Sequence, residues 1–118
     1  MWRNKFNRVI YTIGRLYPEG LSQTEFSRQH LFYSLFTSVA HCLYGISGIG
    51  AEPVPLEAES EIESARNRLD QVDGIFQARD ITVLRRSEQR FIEDSRRATT
   101  DEAVRQRRTE FLLALVAP

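Results

Sequence analysis

The chain predicts an all-α fold, about five helices in a single compact bundle. Apolar residues recur at helical spacing in successive segments, Ser/Thr-x-x-Glu capping patterns precede two of them, and no alternating strand pattern of useful length appears.

The first helix is expected over residues 3–17. Phe6, Val9, Ile10, Ile13, Leu16 and Tyr17 follow the i, i+3, i+4, i+7 spacing of one face, and Pro18 with Gly20 ends it. The stretch "LSQTEF" then places Ser22 as an N-cap with Glu25 three residues on, and Leu21 and Phe26 as a hydrophobic staple. A helix over 23–44 follows. Phe26, Leu31, Phe32, Leu35, Phe36, Val39, Cys42 and Leu43 make it apolar around much of its girth, as in a central helix packed on several sides. Gly45 is its stop.

A third helix begins near Leu56, with Glu57, Glu59, Glu61 and Glu63 at the positive end of its dipole. Ile62, Leu69, Val72 and Phe76 form its inner face, and Asp73-Gly74 ends or kinks it. A fourth runs from about Ile81 to Arg96, with Ile81, Leu84, Phe91 and Ile92 inward. Thr99, with Glu102 at N3, is the expected cap of a fifth helix whose apolar residues are Val104, Phe111, Leu112, Leu115 and Val116. The domain plan is a single helical domain over 1–118: a hairpin over 1–45, a Gly/Pro linker over 46–55 and a three-helix part over 56–118.

The chain has 118 residues and no formal net charge, so global electrostatics select no partner. Residues 51–63 carry five glutamates and no base, and Lys5 is the only lysine among sixteen basic residues. Arginine in such excess suits bidentate phosphate or carboxylate recognition, but also suits solvated helix faces. The single cysteine, Cys42, sits in the most apolar part of the chain, reads as a small buried hydrophobe, and excludes an intrachain disulfide. That usage fits a reducing, cytoplasmic setting. Residues 2–17 are basic and acid-free but lack a cleavage pattern. Residues 31–50 lack charges but hold His41 and three glycines, which favours a buried core helix over a membrane span.

No catalytic, cofactor-binding or metal-binding set is expected. His30 and His41 lie about 16 Å apart along one helix, too far to share a metal ion. Neither CxxC, HExxH, Gly-x-Ser-x-Gly nor a Walker loop occurs.

"RRATTDEAVRQRRTEF" concentrates five arginines in residues 96–108. Arg108 falls in line with the apolar stripe of the last helix, so its stem is expected to be buried and its head paired, with Glu88, Asp94 and Glu110 as candidate acids. Arg96, Arg97, Arg105 and, at the border of the stripe, Arg107 are the candidate contacts to nucleic acid or a partner. Aromatics are missing from this surface, which disfavours single-strand stacking.

"KFNRVIYTIGRLYPEGLSQTEFSRQHLFYSLFTSVAHCLYG" resembles the helical part of the ParB-like (GmrSD-type) restriction and defence proteins. "FIEDSRRATTDEAVRQRRTEFLLAL" resembles that family's C-terminal pattern: an aromatic-led helix, a Thr-rich break and a Val-Arg-x-Arg-like closing helix. The resemblance implies an accessory helical region without the catalytic domain. The family's Asp-Gly-Gln-Gln-Arg-like motif is absent, as is any His-Asn-His nuclease motif. Thr99, Thr100, Val104, Arg105 and Arg107 carry over as structural residues.

Together these readings lead to an expected non-enzymatic helical module that docks onto a nuclease-type protein partner, another copy of itself, or DNA. Surplus apolar surface on the 23–44 helix would be the docking face. Two alternatives stay open: arginine-mediated nonspecific DNA binding, and a small regulator, an antitoxin or inhibitor, whose acidic 57–63 segment mimics nucleic-acid charge.

Overall fold

A computed structural model describes residues 2–49, 52–53, 55–96 and 101–117. It contains α1 (Trp2–Leu16), α2 (Gln29–Tyr44), α3 (Glu59–Leu69), α4 (Gln71–Gln77), α5 (Arg86–Arg96) and α6 (Glu102–Val116). Single 3-10 turns occupy Glu25–Ser27 and Ile81–Val83, and no strand occurs among the described residues. Asp70, between α3 and α4, keeps helical dihedrals (φ −60°, ψ −22°). Counted as one interrupted helix, α3–α4 brings the total to the expected five.

The central pair is α2 and α6. α1 packs on α2 and α3, while α5 packs on α6 and also meets α4. Val9 and Leu16 of α1, Leu31, Leu35 and Val39 of α2, Ile62 and Leu69 of α3, Val72 of α4, Phe91 of α5 and Leu112 of α6 join one core, all at most 2% exposed. Phe91 stacks on Phe111 at 4.3 Å, tying α5 to α6. Small polar residues let α2 and α6 approach closely. Ser38 is fully buried, with its hydroxyl 2.8 Å from the Ser34 carbonyl and 3.0 Å from that of Thr109.

Gly45 ends α2 as expected, at φ 77°, with its N–H donating to the His41 carbonyl at 2.8 Å. A Cβ there would meet the Pro53 ring at 3.2 Å. The buried His41 fixes the following turn, its Nδ1 accepting the Ile46 N–H at 2.8 Å.

The third helix, α3, starts at Glu59 rather than near Leu56, and four other expected boundaries change. The Ser22–Glu25 capping box does not form. Thr24 accepts the Phe26 N–H at 3.2 Å, and Glu25 N–H donates to Asp73 at 3.0 Å across the fold. Those bonds hold a 3-10 turn that buries Phe26, so α2 starts at Gln29 rather than 23. The α3–α4 interruption falls at Asp70, and Gly74 lies within α4. Asp80 caps the 3-10 turn through Thr82 N–H at 3.0 Å and Thr82 Oγ1 at 2.6 Å, which leaves Ile81 and Val83 41% and 77% exposed and delays α5 to Arg86. Glu88 then reaches back to Arg85 N–H at 2.9 Å. Thr99 lies outside the described residues. The cap of α6 is Asp101, which accepts Ala103 N–H at 2.9 Å.

Helix C-termini end on side chains from other helices. Arg66 donates to the carbonyls of Leu16 (3.1 Å) and Arg15 (2.6 Å) at the end of α1. Arg68 donates to those of Leu115 and Val116 at the end of α6. The last carbonyls of a helix have no intrahelical donor, so these guanidiniums supply the missing bonds. Arg66→Ala and Arg68→Ala should each cost about 2 kcal/mol, read by urea denaturation. The exposed Arg79→Ala control should stay within about 0.5 kcal/mol. Lysine should not restore either bond pair, because it lacks the planar two-pronged donor.

Candidate interaction surface

The arginines singled out in the sequence part company in the fold. Arg108 is buried at 2% exposure, as its place on the apolar stripe predicts. Its Nη1 donates to the main-chain carbonyl of Asp94 at 3.0 Å. The Asp94 carboxylate takes Arg107, in a two-pronged pair at 3.0 and 2.8 Å with the acid only 7% exposed. Arg107, expected at the border of the stripe, is engaged within the fold by this pair while its side chain stays 37% exposed. Asp94 hydrogen bonding is also the main cause of its raised pKa. Arg96 and Arg105 are exposed, and Arg97 lies outside the described residues.

The acidic segment is also partly engaged. Arg15 donates to the Glu57 carbonyl at 2.7 Å and pairs with the Glu59 carboxylate at 3.0 Å, and Arg8 reaches Glu57 at 3.4 Å. Glu61 accepts the N–H groups of Ala58 and Glu57 at 2.8 and 3.1 Å, which lowers its pKa. Since Ala58 has no side-chain acceptor, this is half a capping box. Glu63 stays exposed.

A groove of about 400 Å³ opens between α2, the turn after it and the start of α6, lined by His30, Tyr33, Thr37, Arg105 and Gln106 among others. The His30 Nε2 lies 2.5 Å from the Ser95 carbonyl and must carry the proton for that bond. The neighbouring hydroxyls of Ser34 and Thr37 donate to carbonyls one turn back, at 3.1 and 2.9 Å. Among the described residues, then, no hydroxyl nucleophile is hydrogen-bonded to the imidazole. No group of three metal-ligating side chains occurs there either. Cys42 is buried, and desolvation pushes its thiol up to about 11, away from nucleophilic chemistry.

The surface that stands out lies on α1 and α2. Neither helix carries an Asp or Glu. Phe6, Ile10, Tyr11, Tyr33 and Tyr44 are between 37% and 67% exposed. Phe6 packs on Phe36 at 5.3 Å, Phe36 on Phe32 at 6.3 Å, and Phe32 on Tyr33 at 6.3 Å, an aromatic chain across the two helices. Lys5 and Arg8 sit over the Tyr44 ring, at 5.2 and 5.9 Å from its centre. Those contacts set the N-terminal half of α1 against the end of α2, so the helices run antiparallel. The expected surplus on α2 is only part of this face. Leu35 is wholly buried, Phe32 and Phe36 are half-buried, and α1 supplies exposed residues that its amphipathic pattern assigned to the core.

No protein-family model, curated protein or solved structure matches the chain. None of its described helices is long and apolar enough to cross a membrane.

Burial is the main cause that lowers the His30 pKa. The Arg108 and Arg28 guanidiniums act in the same direction, and the Ser95 carbonyl opposes them. The folded imidazole therefore binds a proton less readily than the unfolded one. Its contribution to stability is complete above about pH 6.5 and declines as the pH falls below that value. The urea midpoint should drop between pH 7 and 5.5, and His30→Gln should flatten that drop. Arg107→Ala should lower the melting temperature by leaving Asp94 without its pair, while Arg105→Ala leaves it unchanged.

Proposed function

We propose that this chain is a non-catalytic helical module of a bacterial restriction or defence-type protein, which docks onto a nuclease-type partner domain through the α1–α2 face. The observation that carries the reading is that face itself. It combines exposed Phe6, Tyr33 and Tyr44 and half-buried Phe32 and Phe36 with a rim of Lys5 and Arg8 and no carboxylate on either helix. Isolated exposed apolar residues are ordinary, but contiguous aromatic surface ringed by polar groups is the composition of a protein interface. The large rings supply contact area with few rotamers to immobilise, and Lys5 can steer an acidic partner.

The family resemblance supplies the class of partner. The groove beside His30, whose nearby hydroxyls are bonded to main-chain carbonyls, supports a binding role over a hydrolytic one. The α1–α2 face and the resemblance favour a protein partner for this surface.

Co-expression with the product of the adjacent gene, followed by size-exclusion chromatography, tests the reading. A stable complex is expected, and the Phe6→Ser/Tyr33→Ser double variant should weaken it by 30-fold or so, about 2 kcal/mol, while remaining folded. A chain that stays monomeric and captures no adjacent gene product overturns it.

A further inference from the structure

A second surface, on a different flank, is built from arginine. α5 packs on α6, away from α1, and presents exposed Arg86, Arg90 and Arg96. Together with Arg107 they line a groove of about 630 Å³ whose apolar contribution is Ile81 and the buried Ile92. Arg90 and Arg107 also border a neighbouring groove of about 470 Å³ that includes Arg85, so the basic surface continues around the α5–α6 seam.

The carboxylates on this surface are partly accounted for. Asp94 pairs with Arg107, and Glu88 pairs with Arg85 at 3.4 Å. Glu93 also lines the larger groove. Arg86, Arg90 and Arg96 form no ion pair among the described residues, in contrast to Arg8, Arg15, Arg28, Arg85 and Arg107. Three guanidiniums thus stand along one helix with their forks available.

Their spacing suits a repeating anion. Arg86 and Arg90 are one turn apart, about 6 Å along the axis, and Arg96 lies about 15 Å from Arg86 along it and roughly a third of a turn around from Arg90, with all three on the same groove. A duplex carries one phosphate per roughly 3.4 Å of its axis on each strand, a density that lets three arginines spread over about 15 Å each meet a phosphate. An acidic peptide fits less well, because peptide docking draws on pockets for anchoring side chains and this groove offers little apolar wall. Single strands fit less well too, since no aromatic side chain lines the larger groove for base stacking.

We propose that the α5–α6 groove binds the phosphate backbone of a nucleic-acid duplex without reading its sequence, through Arg86, Arg90 and Arg96. This moves the basic contact surface from the start of α6, where Arg107 is held by Asp94, to the length of α5. It goes beyond the docking role of α1–α2 and stands or falls separately, because its test uses the chain alone.

Fluorescence anisotropy provides the test, with labelled duplexes of about 20 base pairs in DNA and RNA form, a DNA single strand of equal length and a poly-glutamate peptide. If three phosphate contacts form, binding of a duplex should weaken about 40-fold between about 50 and about 200 mM salt. The Arg86→Ala/Arg90→Ala/Arg96→Ala variant should lose binding, and the corresponding lysine variant should keep most of the salt dependence. An Arg3→Ala/Arg79→Ala control should bind as the parent does. Binding of either duplex with this pattern supports the proposal. It is overturned if neither duplex binds at the lower salt, if the alanine variant binds unchanged, if the lysine variant fails to bind while folded, or if the single strand or poly-glutamate binds as tightly as the duplexes.

Discussion

The architecture depends on how the carbonyl ends of its helices are satisfied. Every α-helix finishes with carbonyls that its own ladder leaves without donors. In this molecule cationic or ring N–H groups from other helices reach several of them. Arg66 serves the end of α1 and Arg68 the end of α6, while Arg108 and His30 serve successive carbonyls at the end of α5. Arg66 and Arg68 are two residues apart, about 200° around the helix, so they point to opposite sides. That geometry suits α3 to lie between α1 and α6. Arginine is the suitable residue because one planar head can bond two consecutive carbonyls. Part of the arginine excess is therefore structural, since these bonds close helices.

The face on α1 and α2 is placed by the same construction. α1 is held from below by Arg66 at its end and by the pairing of Arg8 and Arg15 with the entry to α3. Its buried side is consequently the narrow stripe of Val9, Ile13 and Leu16. Phe6 and Ile10 are rotated off that stripe and stay at the surface beside Phe36. The chain thus holds aromatic residues outward on a rigid pair of helices, and α5, across the α2–α6 core, holds arginines outward in the same manner.

Much of this was legible in the sequence. The helices follow from 3.6-residue periodicity, Gly45 from its place after an apolar run, and the burial of Arg108 from its register with Val104 and Leu112. The helix starts were less legible because two acceptors often compete for the same N–H groups. Ser22 and Glu25 read as a capping box, yet Thr24 and the distant Asp73 take the bonds, and a carboxylate from another helix leaves no local trace. Asp80 offered a clearer sign: an Asp two residues before a Thr and just ahead of a β-branched pair is a turn signal that competes with a helix. The candidate contacts were least legible. Arg107 and Arg108 differ by one position, and only the packing of α5 on α6 shows that Asp94 supplies a carboxylate to one and a carbonyl to the other. The amphipathic stripe of α1 likewise could not tell which of its apolar residues a small partner layer would leave uncovered.

The cross-helix caps also bear on how the molecule comes apart. A helix bundle held only by apolar contact can lose an outer helix and keep the rest, since the newly wetted side chains cost energy gradually. Here, removing α3 would leave the ends of two other helices without donors, and removing α6 would strip both a guanidinium from α5 and the larger part of the α2 contact. In this sense α3 and α6 are not peripheral. The caps therefore couple the loss of α3 to the ends of α1 and α6, and the loss of α6 to the end of α5.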